Sequence, residues 1–189
     1  MTAALSDVPP AGGWTTDDLD ALPEDGLRRE LLDGVLLVSP SLADIHQIIA
    51  GRLMVALEET CPRDLQVTQA VEVRIGPRRS FIPDVLVATD AAASRRARFY
   101  APQEVVLAVE VVSPTSQSMD RVMKPALYAK AGIPYYWLVE TDGGLTVHTY
   151  TLEFQDEVYQ PSGTFTQTIK IDHPWRIEIP IARLRPRHL

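Results

Sequence analysis

Residues 105–112 are Val-Val-Leu-Ala-Val-Glu-Val-Val, an almost unbroken apolar run with one acidic residue inside it. Such a run is typical of a central β-strand that is covered on both faces. Strand alternation places Glu110 on the same face as Ala108 and Val112. A lone ionised carboxylate buried there would cost several kcal/mol. We therefore expect an arginine, a lysine or a metal ion to compensate the charge of Glu110.

The segments on both sides of this run predict one α/β domain with a mixed central sheet and a helix on each side. Residues 1–13 are rich in Pro, Gly and Ala and are expected to form a flexible lead-in, followed by a single domain over residues 14–189. Residues 76–80 and 90–103 are expected to be loops. The expected elements are a hairpin over 28–38 ended by Ser39-Pro40-Ser41, a helix over 42–59, strands over 67–75 and 81–88, a helix over 118–131, and strands over 134–139, 145–150, 165–171 and 176–179.

The composition describes an ordinary globular chain. Its 189 residues are 46% apolar and 23% charged. No stretch approaches the roughly 20 apolar residues that cross a bilayer, and the N-terminus lacks the basic and apolar regions of a secretory signal. One cysteine, Cys61, excludes an internal disulfide and a cysteine-built zinc site. These features predict a cytoplasmic protein that does not associate with a membrane.

The charge balance gives a mixed indication about nucleic acids. The net charge of −7 does not favour a polyanionic partner, although a local basic patch can steer a ligand against the global sign. The arginines on predicted loops could contact phosphates or could simply be solvated; they are Arg78, Arg79, Arg95 and Arg96.

A second carboxylate lies in an unusual place. Asp84 follows Pro83 inside the predicted strand 81–88, on the same face as Leu86. If Asp84 and Glu110 are close, they repel unless a divalent cation lies between them, and Mg²⁺ prefers such oxygen ligands. The alternative is structural: Glu110 at a strand end with its head in water, and Asp84 capping a turn.

Lys124 also admits two interpretations. Asp120 and Lys124 are four residues apart, a spacing that suits a helix-surface ion pair worth about 0.3–0.5 kcal/mol. Alternatively, the helix delivers Lys124 to the carboxylates. Pro125 either starts this helix or kinks it. No motif for a phosphate-binding loop, a dinucleotide fingerprint, a zinc protease or a nucleophile elbow is present.

Taken in order, the motifs of the chain resemble the Uma-type family of putative restriction endonucleases, in the PD-(D/E)XK nuclease-like superfamily. The resemblance extends from about Thr15 to Leu184. The motifs are Glu30-Leu31-Leu32-Asp33-Gly34, Ser39-Pro40, His46, Pro83-Asp84, Glu110-Val111-Val112-Ser113-Pro114, Asp120 with Lys124 and Tyr128, and Gly132-Ile133-Pro134-Tyr135-Tyr136-Trp137.

The resemblance implies a restriction-endonuclease-like core, a central mixed β-sheet flanked by α-helices, and a Mg²⁺-dependent DNA endonuclease in which Mn²⁺ could substitute. It implies that Glu30, Asp84 and Glu110 are catalytic residues and metal ligands, with the Val111 carbonyl as a further ligand. The superfamily's usual lysine, two residues after the second carboxylate, is replaced here by Val112. In the Uma-type pattern the lysine stands on the following helix, where Lys124 matches it.

The resemblance also suggests site neighbours and partners. His46 and Tyr128 are candidate site neighbours, although a core-edge histidine and a packing tyrosine are the plainer interpretations. DNA is the expected partner and a homodimer the expected assembly, because cleavage of a duplex needs two sites. The alternative function is a catalytically inactive interaction or metal-binding module that keeps the nuclease fold, which the acidic net charge and Val112 favour.

Overall fold

The computed structural model describes residues 9–39, 44–114 and 116–189. The helices are α1 (Thr16–Asp20), α2 (Asp44–Glu58), α3 (Asp90–Ala93) and α4 (Lys124–Lys130), with a π-helical turn at Met119–Met123 and 3₁₀ turns at Pro102–Glu104 and Ile181–Arg183. The strands are β1 (Arg28–Leu32), β2 (Val35–Ser39), β3 (Leu65–Gln69), β4 (Glu72–Gly76), β5 (Arg79–Phe81), β6 (Val85–Thr89), β7 (Phe99–Tyr100), β8 (Val105–Val111), β9 (Tyr135–Glu140), β10 (Thr146–Glu153), β11 (Val158–Phe165), β12 (Thr168–Ile171) and β13 (Ile177–Pro180).

The largest sheet has six strands in the order β11-β10-β9-β8-β6-β3. Its central strand β8 is the apolar run of residues 105–111, antiparallel to β6 and parallel to β9. A strand in this position has neighbours on both edges and packing on both faces, which explains its continuous apolar sequence. A second sheet has the order β2-β1-β5-β4-β7, and β12 pairs with β13.

The two faces of the large sheet pack against different helices. On one face, Val85 and Val109 belong to the core formed with α2, through residues such as Leu53. On the other face, Leu86 and Ala108 pack with Tyr128 of α4. This mixed sheet with helices on both sides is the predicted fold class, and a second five-stranded sheet adds to it.

Three predicted strands are wrong in their continuity. The expected strand 165–171 is divided by a bend at Thr166 and Gln167 into the end of β11 and the strand β12. The expected strand 67–75 is two strands, β3 and β4, which lie in different sheets and are separated at Ala70, whose φ of 54° leaves the extended region. The expected strand 81–88 is likewise divided into β5 and β6 around Pro83, which has no N–H to continue a ladder. Asp84 therefore lies in the turn before β6 and not inside a strand.

Other boundaries differ for recognisable reasons. The expected loop 90–103 contains α3 and β7, and Arg79 lies in β5. The strand β11 was missed because Pro161 and Gly163 disfavour strands; β11 tolerates them as an edge strand with an irregular register. Residues 1–8 of the expected lead-in, and Pro40, Ser41 and Leu42, lie outside the described residues.

The division into a lead-in of residues 1–13 and a domain of residues 14–189 stays a prediction. In the described part of the chain, no helix has the length and apolar character to cross a membrane.

Candidate active site

Four elements bring the predicted catalytic side chains to the α4 side of the large sheet. Glu30 comes from β1, Asp84 from the turn before β6, Glu110 from β8 and Lys124 from the first position of α4. All four are buried. Residues that are 94 positions apart in the chain, Glu30 and Lys124, are thereby in contact.

Lys124 is the cation that Glu110, Glu30 and Asp120 share. Its Nζ lies 3.1 Å from Glu110 Oε1 and 3.2 Å from Glu30 Oε1. It also lies 3.6 Å from Asp120 Oδ1, the partner that the helical spacing predicts. Because Asp120 is buried as well, this is no surface ion pair. The structure thus supports the interpretation in which the helix delivers Lys124 to the carboxylates.

The backbone before α4 explains how Lys124 reaches this position. Residues Met119–Met123 form a π-helical turn, and α4 begins at Lys124 with Pro125 in its first turn. Proline is tolerated there because the first N–H groups of a helix have no partner within it. The irregular turn leaves Asp120 and Lys124 buried on the same side, facing the sheet.

Asp84 is held by three donors. Arg28 Nη1 lies 3.0 Å from Oδ1, while the Val111 N–H donates to Oδ2 at 2.8 Å and His46 Nε2 lies 2.9 Å from the same oxygen. Its own N–H donates to the Val109 carbonyl at 3.0 Å, which fixes it beside β8. Burial opposes ionisation, but the His46 hydrogen bond and the Arg28 charge outweigh it, so the pKa of Asp84 lies below its ordinary value.

Glu30 is oriented by the chain next to Asp84. Its Oε1 accepts a hydrogen bond of 2.7 Å from the N–H of Ile82. Arg28 Nη2 lies 3.7 Å from the same oxygen, and the Arg28 guanidinium also donates to the Ile82 carbonyl. Arg28 therefore bridges Glu30 and Asp84.

Negative charge exceeds positive charge in this cluster. The four buried carboxylates, named here the carboxylate cluster, are Glu30, Asp84, Glu110 and Asp120. Arg28 and Lys124 are the cations in contact with them, so full ionisation with a neutral His46 leaves two negative charges.

Burial and the neighbouring charges both shift the pKa of Glu110. Burial raises the pKa of Glu110 well above its ordinary value, Lys124 opposes the rise, and the charges of Asp84, Asp120 and Glu30 add to it. Burial also raises the pKa of Asp120 against the effect of Lys124. For Lys124, burial lowers the pKa, but Glu110, Glu30 and Asp120 raise it above the ordinary value. Lys124 is therefore a fixed cation at neutral pH.

The cluster fits a hard divalent cation by donor type. Its donors are carboxylate oxygens, which Mg²⁺ prefers, and when all four are ionised their charge exceeds that of Arg28 and Lys124. Across residues 9–39, 44–114 and 116–189, no group of three or more His, Cys, Asp or Glu side chains is arranged so that it could hold a metal ion. Arg28 and Lys124 are the cations that the carboxylates contact.

The remaining predicted neighbours divide into two groups. His46 contacts Asp84, and the Tyr128 hydroxyl donates to Glu110 Oε1 at 2.9 Å, so both lie against the carboxylate cluster. The predicted phosphate-contacting arginines lie elsewhere: Arg78 donates to the Asp33 carbonyl at 2.9 Å, Arg79 pairs with the Asp33 carboxylate, Arg95 pairs with Glu104 at 2.5 Å, and Arg96 lies in a turn with φ of 51°. Among the contacts of the described residues, none joins these four to the cluster.

Sequence reasoning missed Arg28 and assigned Asp120 only to an ion pair with Lys124. Arg28 and Glu30 are two residues apart on β1 and therefore lie on the same face of the strand. This spacing could have identified Arg28 as a neighbour of the site. The sequence pattern could not predict the contact of Arg28 with Asp84, because the two residues are 56 positions apart in the chain.

Removing the Tyr128 hydroxyl is expected to destabilise the protein. Tyr128→Phe leaves buried Glu110 without its tyrosine donor, and the free energy of unfolding should fall by about 1–3 kcal/mol. Tyr150→Phe is the matched control, since its hydroxyl makes no hydrogen bond with the described residues. Urea denaturation of both variants measures the difference, and equal losses would contradict the assigned role of the Tyr128–Glu110 bond.

Comparison with known proteins identifies a family and a shared fold. Residues 16–181 match the family model described as "Uma2: Putative restriction endonuclease". A crystal structure titled as that of "a putative nuclease belonging to DUF820 from Anabaena variabilis ATCC 29413" is similar with a TM-score of 0.71 and 19% identity, over 90% of this chain and 96% of that chain. At this identity the likeness shows a shared fold. No curated protein matches the chain.

Proposed function

Because the chain belongs to the Uma2 family described as putative restriction endonucleases, as its ordered motifs predicted, we propose that it is a Mg²⁺-dependent endonuclease that hydrolyses phosphodiester bonds of DNA. Family membership supports a nuclease-type enzyme. The observation that most strongly supports the finer proposal is the buried contact of Lys124 with Glu110 and Glu30, beside Asp84. Such a concentration of buried charge is costly for stability and is typical of functional sites.

The proposed metal ligands are Asp84 and Glu110, with the Val111 carbonyl and Glu30 completing the set. The Val111 N–H already donates to Asp84, so the backbone of Val111 lies next to this carboxylate. A bound Mg²⁺, or Mn²⁺ in its place, supplies positive charge at the phosphate and makes water a better nucleophile. Asp84 remains ionised for this task because His46 and Arg28 favour its charged form.

Lys124 takes the role of the superfamily's lysine. The usual position, Val112, is buried in the apolar core of the α4 face and has no polar group to offer. Lys124 reaches Glu110 from α4 and carries a fixed charge. We assign to it the stabilisation of negative charge that develops on the phosphate, because preorganised cations in a dry site are effective there.

The other neighbours position the carboxylates. His46 and the Val111 N–H hold Asp84 Oδ2, the Ile82 N–H holds Glu30 Oε1, and Tyr128 holds Glu110 Oε1. Each carboxylate is thus fixed by at least one donor before substrate arrives, and this limits reorganisation during the reaction.

Three further parts of the proposal concern the setting of the enzyme. We propose duplex DNA as the substrate, a homodimer as the working assembly, since two strands need two sites, and the cytoplasm as the location.

The test is nicking of supercoiled plasmid by the purified full chain. We expect conversion to the open circle with Mg²⁺ or Mn²⁺ and none with EDTA. Glu110→Gln protein, purified in parallel, controls for a contaminating nuclease. If the wild type nicks no DNA and binds no metal, the nuclease proposal is wrong and the inactive nuclease-fold module is favoured.

A further inference from the structure

Arg28 lies between two proposed metal ligands, and in the chemistry above it only helps to keep Asp84 ionised. Its Nη1 lies 3.0 Å from Asp84 Oδ1, and its Nη2 lies 3.7 Å from Glu30 Oε1. The guanidinium is further anchored on the Ile82 carbonyl. A planar guanidinium with several donors suits such bridging of carboxylates.

Arg28 occupies the Asp84 oxygen that has fewer other hydrogen-bond partners. Oδ2 already accepts the Val111 N–H at 2.8 Å and lies 2.9 Å from His46 Nε2, so Oδ1 is the less crowded oxygen, and Arg28 is its partner. A divalent cation at Oδ1 would lie a few ångströms from the Arg28 charge. Two cations at that distance repel strongly when water is largely excluded.

Of the two cations in contact with the carboxylate cluster, Arg28 is the more exposed. Its side chain is 16% exposed, against 4% for Asp84 and 5% for Lys124. Arg28 lies at the first position of β1, whereas Lys124 is held by three carboxylates. Arg28 therefore has more access to solvent and fewer carboxylate partners than Lys124.

We propose that Arg28 is a built-in competitor of the divalent cation: it bridges Asp84 and Glu30 in the metal-free protein and leaves Asp84 Oδ1 when the cation binds. The inference rests on the proposed function in one respect, that Asp84 ligates the cation. In this proposal Arg28 neutralises the charge of Asp84 and Glu30 until a metal ion replaces it. The competition lowers the affinity of the site for the metal ion.

The experiment is Mn²⁺ binding to the purified full chain, followed by the electron paramagnetic resonance signal of free Mn²⁺. We expect Arg28→Gln to lower the dissociation constant at least about tenfold, because one nearby positive charge is removed. Arg28→Lys keeps the charge but cannot bridge two carboxylates as a fork, so a smaller tightening is expected. If Arg28→Gln folds poorly, the Mn²⁺ affinity of Arg28→Lys still tests the proposal.

Arg29→Gln is the matched control. Arg29 is the next residue of β1, and it pairs with exposed Asp25 at 2.6 Å, so its replacement should leave Mn²⁺ binding unchanged. Asp84→Asn reports whether the ion binds at the proposed site, since it should lose that binding.

The outcomes separate the inference from the proposed function. Tighter binding in Arg28→Gln and Arg28→Lys, unchanged in Arg29→Gln and lost in Asp84→Asn, supports the inference. Binding that is lost in Asp84→Asn but no tighter in the Arg28 variants overturns the inference alone. Binding that survives in Asp84→Asn, or is undetectable in every protein, overturns both.

Discussion

Replacing Lys124 with methionine is expected to lower the free energy of unfolding of the metal-free protein by roughly 3–5 kcal/mol at pH 8 and to abolish plasmid nicking. The replacement removes the cation that lies within 3.6 Å of Glu110, Glu30 and Asp120, and it leaves these buried carboxylates without that compensation. Removing one partner of a buried ion pair costs more than the pair itself contributes.

The pH dependence of this loss has a definite sign. The native pKa of Lys124 is raised above its ordinary 10.5, so the stabilisation by Lys124 is present below pH 10.5 and disappears as the pH rises through the raised value. At pH 5 the loss should be smaller than at pH 8, because the raised pKa values of Glu110 and Asp120 allow these groups to take up protons.

Lys130→Met is the control for this experiment. Lys130 is exposed at the other end of α4, so its replacement should change stability little and leave nicking intact. Denaturant titrations at pH 5 and pH 8 measure both variants. A Lys124→Met protein as stable as Lys130→Met at pH 8, or one that still nicks DNA, would contradict the assigned position and role of Lys124.

Replacing Glu110 with glutamine should separate activity from stability. We expect metal-dependent nicking to fall at least about 100-fold, since the positive charge that a metal brings to the phosphate is worth several kcal/mol. The metal-free variant should be more stable than the wild type at pH 8, because one of four buried carboxylates is neutralised while the amide keeps the size of the side chain.

The sign of the stability change follows from the raised pKa of Glu110. Below the ordinary value of 4.5, Glu110 is protonated in both folded and unfolded protein and carries no penalty. As the pH rises from 4.5 towards the raised native pKa, the unfolded chain releases its proton first, so the wild type loses stability. The advantage of Glu110→Gln should therefore grow between pH 4.5 and pH 8.

Thermal unfolding with and without Mg²⁺ measures both effects. Mg²⁺ should raise the melting temperature of the wild type, since a ligand that binds only the folded state stabilises it, and should not raise that of Glu110→Gln. Glu153→Gln, at an exposed position of β10, is the control and should behave as the wild type. Nicking by Glu110→Gln at the wild-type rate would contradict the assignment of the activity to this site.

The central strand and its neighbours could be predicted from the sequence because their signals are local. A continuous apolar run over 105–111 can be buried on both faces only inside a sheet, and the Asp33-Gly34 pair supplies the two positive φ values that its hairpin turn needs. The ordered motifs predicted the family and the fold. The strand breaks at Ala70 and Pro83 could not be predicted, because the alternation of apolar residues continues across each break. The chain bends there because the strands before and after each break belong to different sheets.

The candidate site was predicted as a set of residues and not as a set of contacts. Alternation showed that Glu110 needs a compensating charge, but periodicity reports which face is buried and not which distant side chain covers it. Packing of α4 on the sheet brings Lys124 to Glu110, and the entry of β1 beside the turn before β6 brings Arg28 to Asp84. The sequence by itself indicated that Glu110 lies on a buried strand face and needs a compensating charge. The tertiary structure decided how they are paired, because electrostatic partners are selected by distance in space and not along the chain.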